Sequence, residues 1–453
     1  MRREHRDYKP RVHTLIRCCG RNAATFPAPR KSLPWIVLWI ETHPQCKILH
    51  VLHVVLCPDQ MLSGPRPGFA EALTYRSAVT SIASFGEKYF MGMSGKKNKR
   101  LCIGVLGCGP IAQYAHFESC RRAGNAELYA ICDVSEDLRN RMAAIHQPQV
   151  VYAEYAQMLD DPKVDAVIIA TADEYHVPLC LQAVNAGKHV LVEKPLGVSI
   201  EECEQLQQSI HASSVILQVG NMKRFDAGIA FARRFIREQM GELLALKAWY
   251  CDSTYRYTMT DNLQPIPVAG RQVRRPSGDP KAEKRRYFML THGSHLVDTA
   301  RFLGGAIRSV QAQLVEKFGA YCWFVALEFE NGAVGQLDLT IAVRMDFHEG
   351  FQIYGEYGSV IGKTYLPWLF KSSDVECFSV NDGQYHRPLG EDGHFYRRQV
   401  EGFAESILAG TGSASTDAAD IEDGMAAMRA MVAIARSAES GQRIRIAEVD
   451  GKV

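Results

Sequence analysis

Leu101-Cys102-Ile103-Gly104-Val105-Leu106-Gly107-Cys108-Gly109-Pro110-Ile111-Ala112 begins as an apolar run of strand length and breaks into closely spaced glycines. A helix-compatible segment follows to Arg122 and stops at Gly124. A second apolar run, Glu127-Leu128-Tyr129-Ala130-Ile131-Cys132, ends in Asp133. Later strands are expected at 164–170, 189–192 and 215–219, with helical segments between them. Strands interleaved with helices predict a parallel, doubly wound α/β sheet. The glycine string has the dinucleotide spacing G-x-G-x-x-A. Gly107 permits the tight turn, Gly109 lets the backbone approach a pyrophosphate, and Ala112 allows close packing of helix on sheet. Pro110 and Ile111 complete the turn, and the phosphates would rest on amides at the positive end of the helix.

An acid about 20 residues beyond such a turn reads the adenosine ribose. Asp133 stands there, so NAD is favoured over NADP, whose 2′-phosphate a carboxylate repels. The alternative reading of Asp133 is a cap on the following helix. Ligands bind outside the carboxyl ends of such sheets, which brings forward two more strand ends. The strand at 164–170 ends in Thr171-Ala172-Asp173-Glu174-Tyr175-His176, and that at 189–192 in Glu193-Lys194-Pro195. A lysine at that edge points to where nicotinamide and substrate should meet.

Working outward, the chain is 453 residues long, 47% apolar and 23% charged, with a formal net charge of +2. That is enough chain for two or three domains. It gives no electrostatic ground for nucleic acid or a membrane as partner. The apolar run at 33–40 is too short to cross a bilayer. Thirteen cysteines without regular spacing read as free thiols in a reducing, cytoplasmic setting. Residues 1–90 differ in texture, with 13 Lys+Arg against 6 Asp+Glu and 8 of the 19 prolines. They are not Ser-rich and amphipathic as a transit peptide would be. Arg2-Arg3 lies too far from the apolar segment for a twin-arginine signal. The apolar run at 48–56 has no evident partner. Residues 1–92 are therefore expected to be a disordered or non-native extension. The dinucleotide-binding domain is expected at 93–220, an α+β substrate and oligomerisation domain at 221–440, and a tail at 441–453.

The glycine turn, Thr171 with His176, and Glu193-Lys194-Pro195, in this order, resemble the family of glucose–fructose oxidoreductase and inositol dehydrogenase (the Gfo/Idh/MocA group). The resemblance spans about 98–440. Val219-Gly220-Asn221-Met222-Lys223-Arg224-Phe225 resembles the family's junction into its second domain, and His292-Gly293-Ser294-His295-Leu296-Val297-Asp298 its substrate-side helix. Period-two segments at 327–330, 335–339 and 351–354 fit a largely antiparallel open sheet. Ile421, Met425, Met428 and Val432 mark a closing helix, with the methionines as core.

The resemblance implies an NAD-dependent oxidoreductase that interconverts a secondary alcohol and a ketone on a sugar, sugar acid or cyclitol. It also implies a homodimer or homotetramer formed through the sheet, and no metal. Lys194 would polarise the reacting oxygen and His295 would accept its proton. Asn221, Glu193, Thr171 and His176 would line the cofactor, while Arg224 and Thr291 would face substrate. His176 reads equally as a satisfied structural histidine. Tyr255, Arg256 and Tyr257 form a polar loop that could reach a polyol. Many family members carry an aspartate four residues before the helix histidine, where this chain has Thr291, leaving a hydroxyl relay or substrate contact. Asp298, three residues beyond His295, could orient it or serve as a cap or salt-bridge partner, whereas His292 would oppose its protonation. Two alternatives to the dehydrogenase are an NAD-using glycosidase and a non-catalytic dinucleotide-binding regulator.

Overall fold

The computed structural model describes residues 22–24, 36–42, 49–56, 99–253, 267–271, 281–390, 393–410 and 417–453. Two units, Met1–Lys96 and Lys97–Val453, separate by their contacts. In the first unit, β1 (Asn22–Ala24), β2 (Ile36–Thr42) and β3 (Leu49–Leu56) form an antiparallel sheet in that order. The apolar run at 48–56 thus has a partner after all, since β3 pairs with β2.

In the second unit, β4 (Leu101–Leu106), β5 (Ala126–Cys132), β6 (Val150–Tyr152), β7 (Ala166–Ile169), β8 (His189–Val192) and β9 (Leu217–Val219) make one sheet. Its order is β6-β5-β4-β7-β8-β9 and every pairing is parallel. The strand order reverses between β4 and β7, so a crevice opens at their carboxyl ends. β4 and β7 are almost wholly buried because helices cover both faces.

A nine-stranded sheet follows: β10 (Leu243–Ser253), β11 (Ile307–Lys317), β12 (Ala320–Phe329), β13 (Val334–Val343), β14 (His348–Gly355), β15 (Gly358–Thr364), β16 (Asp374–Ser379), β17 (Gln384–His386) and β18 (Ile444–Arg445). Its order is β17-β16-β15-β14-β10-β13-β12-β11-β18, antiparallel except for β10 with β13. Burial alternates along these strands, and one face packs on helices Ala227–Gln239, Ser294–Gly304 and Ile421–Ser440. The last helix starts at Asp420, whose carboxylate accepts from the Asp423 N–H, and ends at Gly441 with φ 71°. Met425, Met428 and Met431 are buried in it, as core. Beyond it the expected tail returns to the sheet as β18, beside β11.

The two sheets share a core. One apolar cluster runs from Val167 and Val190 through Val219 to Leu246, Leu337 and Met428. Helix Phe395–Leu408 also turns back, and its Val400 and Phe403 pack with Phe117 beneath the six-stranded parallel sheet. The substrate-side elements are therefore fixed against the strand ends.

Candidate active site

β4 runs straight into the glycine turn. Gly107 has φ 94°, and a Cβ there would lie 2.6 Å from the Ala170 carbonyl oxygen, so only glycine fits. At Gly109 a Cβ would meet nothing within 4 Å. This open space beside a strand-to-helix turn is where a pyrophosphate approaches backbone amides. Ala112 is fully buried. The helix opens with a π-turn, Ala112–His116, before Phe117–Arg122. Asp133 ties this turn to the next: its Oδ2 accepts from the Cys108 N–H at 2.7 Å and its Oδ1 from the Ser135 N–H at 2.8 Å. It does not cap the following helix, whose N-cap is Ser135, and each of its oxygens keeps a lone pair for a ribose hydroxyl. These residues fit NAD.

At the fourth strand end, His176 is buried. Its Nδ1 lies 2.7 Å from the Pro195 carbonyl oxygen and its Nε2 3.4 Å from that of Thr171. These carbonyls hold the ring, which also lines the cavity, where Thr171 joins it. Next to it, Glu193 Oε1 meets His116 Nε2 at 2.9 Å, both buried. Burial pushes the Glu193 carboxyl up, but His116, Lys194 and His176 outweigh it and hold the group below the usual range. His116 escaped the sequence reading. The π-turn brings it round to Glu193, and no spacing rule flags that. Its Nδ1 is buried without a partner among the described residues, and its ring meets Tyr396 edge-on at 5.7 Å.

Across the cavity, a second π-turn, Met289–Gly293, leads into helix Ser294–Gly304. Lys194 Nζ donates to the Thr291 carbonyl oxygen at 3.3 Å. The Thr291 hydroxyl donates to the Tyr287 carbonyl at 2.6 Å. Thr291 thus places the lysine through its backbone, while its side chain is engaged one turn back. The half-buried His295 ring lies parallel to Tyr250 at 6.1 Å, and among the described residues its nitrogens have no hydrogen-bond partner. Burial drives its pKa well below 6.5, and Lys223, Lys194 and His292 push the same way. These surroundings favour the neutral imidazole at His295, with His292 among the groups that oppose its protonation. His292 itself approaches the Tyr250 hydroxyl at 3.3 Å and Asp252 at 3.9 Å.

One expectation needs correction. Arg224 does not line the cavity: its guanidinium is buried against Asp298, with contacts of 2.6–3.1 Å, and against Asp423 at 2.7 Å. A buried guanidinium needs such carboxylates, so it clamps helix Ser294–Gly304 to helix Ile421–Ser440. For the same reason Asp298 is the salt-bridge partner and does not orient His295. Asn221 is buried at the head of the Met222–Phe225 turn. Lys223 takes the inward place instead. It pairs with Glu349, both buried, and lies 4.6 Å from the Tyr250 ring centroid. Burial draws the Lys223 pKa down against the pull of Glu349. Tyr255, Arg256 and Tyr257 lie outside the described residues.

Together these groups enclose about 360 Å³, from Ile111 and Thr171 on the dinucleotide side to His295 and Phe347 on the other, with Trp368 and Tyr396 as an aromatic wall. That volume suits a small ligand. Among the described residues, no group of three or more His, Cys, Asp or Glu could hold a metal. Comparison with known proteins places both domains of this unit in one family. Residues 101–221 match the oxidoreductase family with an NAD-binding Rossmann fold, and residues 281–446 match that family's C-terminal alpha/beta domain. The chain is 25% identical to the myo-inositol 2-dehydrogenase of Thermotoga maritima over 77% of this chain and 99% of that protein. It is 28% identical to inositol 2-dehydrogenase 2 of Saccharopolyspora erythraea over 57% and 72%. A solved levoglucosan dehydrogenase in complex with NADH shares the fold, with a TM-score of 0.63 at 19% identity over 78% of this chain and all of that one. Matched in both of its domains, the chain belongs to the Gfo/Idh/MocA oxidoreductase family.

Proposed function

We propose that this chain is an NAD-dependent dehydrogenase that interconverts a secondary alcohol and a ketone on a sugar, sugar acid or cyclitol. One observation carries the reading: Lys194, at a strand end of the dinucleotide fold, and His295, from the facing helix, open on one cavity. NAD, when bound, takes up the hydride from the carbinol carbon. Gly107, Gly109, Pro110, Ile111 and Ala112 would hold its pyrophosphate, and Asp133 its adenosine ribose. Lys194, steadied by the Thr291 carbonyl, polarises the reacting oxygen and stabilises its developing negative charge. His295 accepts the hydroxyl proton; a base must be unprotonated to do so, and its surroundings keep it that way. The Lys223–Glu349 pair beneath Tyr250 fixes the floor on which His295 stacks. The relatives' names, two of them inositol dehydrogenases, favour a cyclitol or sugar as substrate.

The outward face of the nine-stranded sheet supports a homodimer or homotetramer. Phe324, Val334 and Ile361 are about half exposed there, on strands whose other residues alternate inward. A cytoplasmic setting fits the free cysteines, and no helix among the described residues is long and apolar enough to cross a membrane. A panel of sugars, sugar acids and cyclitols, scored by NADH absorbance, tests the proposal. Reduction of NAD by at least one free polyol supports the dehydrogenase, and NAD binding without turnover on any of them favours a regulator.

A further inference from the structure

Residues 267–271 belong to no strand or helix, yet they are bound tightly to the dinucleotide fold. The Gln113 side chain grips the Val268 backbone twice: Oε1 accepts from its N–H at 2.8 Å and Nε2 donates to its carbonyl at 2.9 Å. The same Nε2 donates to the Cys108 carbonyl at 2.8 Å, inside the glycine turn. Val268 also packs on the cluster that contains Ala112 and Leu138. Three residues on, the Arg271 N–H donates to both Asp137 carboxylate oxygens at 3.1 Å, and Asp137 Oδ1 accepts from the Ser135 hydroxyl at 2.8 Å. Gly270 lies so close that a Cβ would come within 2.4 Å of Ser135 Oγ.

This strap therefore spans from the first strand-to-helix turn, at 107–113, to the second, at 133–137. Those two turns would hold pyrophosphate and adenosine ribose. The strap bridges them without filling the space over Gly109, which stays open. An exposed surface loop could satisfy its backbone with water; here two side chains, one from each turn, take up its amides. We propose that residues 267–271 form the outer wall of the NAD site, closing over the adenosine half and slowing release of the cofactor. This rests on the NAD reading above. For the dinucleotide to leave, the bonds from Gln113 and Asp137 must break, so the release rate reports strap opening. Steps of this kind set turnover in many enzymes.

The test uses the full chain without substrate: NADH release followed by stopped-flow fluorescence on mixing with excess NAD, and hydrogen exchange at Val268 and Arg271 with and without NAD. Gln113→Ala and Asp137→Ala should each release NADH about tenfold faster, the effect of losing one or two hydrogen bonds. The Val268 and Arg271 amides should exchange more slowly once NAD is bound. Release at the wild-type rate from both variants, or strap exchange indifferent to NAD, overturns the proposal. Should Gln113→Ala fail to fold, Asp137→Ala and the wild-type exchange decide it. A wild type that binds no NAD would remove the cofactor reading itself, whereas NAD binding with an indifferent strap removes only this proposal.

Discussion

Surroundings, more than sequence position, decide what His295 can do. Burial and the charges of Lys223, Lys194 and His292 hold its pKa well below 6.5. The unfolded chain would take up a proton there near 6.5, and the folded one does so only at much lower pH. Activity that depends on a neutral His295 should thus persist below pH 6.5, as a profile of kcat/KM against pH will show; an acid limb centred on 6.5 is the contrary result. The sign for stability follows from the same shift. The contribution is complete above 6.5 and is lost as pH falls from there toward the folded-state value, because the unfolded state then binds more protons. At Thr291 the hydroxyl is spent on Tyr287, and only the backbone carbonyl reaches Lys194. Valine keeps that carbonyl. Thr291→Val should accordingly leave kcat within roughly threefold of wild type in steady-state assays, about 0.6 kcal/mol of barrier; a hundredfold loss would make the hydroxyl a participant.

Among the elements, the two π-turns matter most, since one carries His116 to Glu193 and the other carries Thr291 and His292 to the cavity. Replacing His116 by leucine leaves a buried carboxylate without its partner, which costs about 3 kcal/mol. Chemical denaturation of His116→Leu should show a loss of that order, and a change under about 0.5 kcal/mol would show that the pair is not needed. The glycine turn makes a different demand. Asp133→Ser should erode the preference for NAD over NADP measured as a ratio of Kd values, because it removes the charge that repels a 2′-phosphate. An unchanged ratio would take Asp133 out of cofactor selection. The turn, Asp133, Lys194 and His295 were legible because each stands at a strand end or on a helix with a local pattern. His116 with Glu193, Arg224 with Asp298, and Lys223 with Glu349 were not, being 77, 74 and 126 residues apart. Local periodicity says nothing about which buried charge finds which partner. Arg224 and Lys223 are neighbours in a turn, and only the packed fold shows that the second faces the cavity while the first is consumed by carboxylates. The strap likewise lies in a short stretch, Pro267-Val268-Ala269-Gly270-Arg271, with no strand or helix period to mark it as a docked element.

At the scale of the whole unit, a shared core fixes the parallel sheet against the nine-stranded one, so Lys194 and His295 meet although 101 residues separate them. The alternating strands and the methionine-lined closing helix were readable from period alone, but the return of β18 to the sheet was not, since two residues carry no pattern. The proposed function depends on that meeting of two halves, because the proposed hydride-acceptor site lies with one sheet and the proposed proton acceptor with the other. The most direct test is NADH formation by the wild type, Lys194→Met and His295→Asn with the same polyol, alongside calorimetric titration of NAD. The wild type should reduce NAD, and both variants should lose at least about a hundredfold in kcat while binding NAD with near-wild-type affinity. Turnover that survives both substitutions, or a wild type that binds NAD yet reduces it with no sugar, sugar acid or cyclitol, would contradict the assignment.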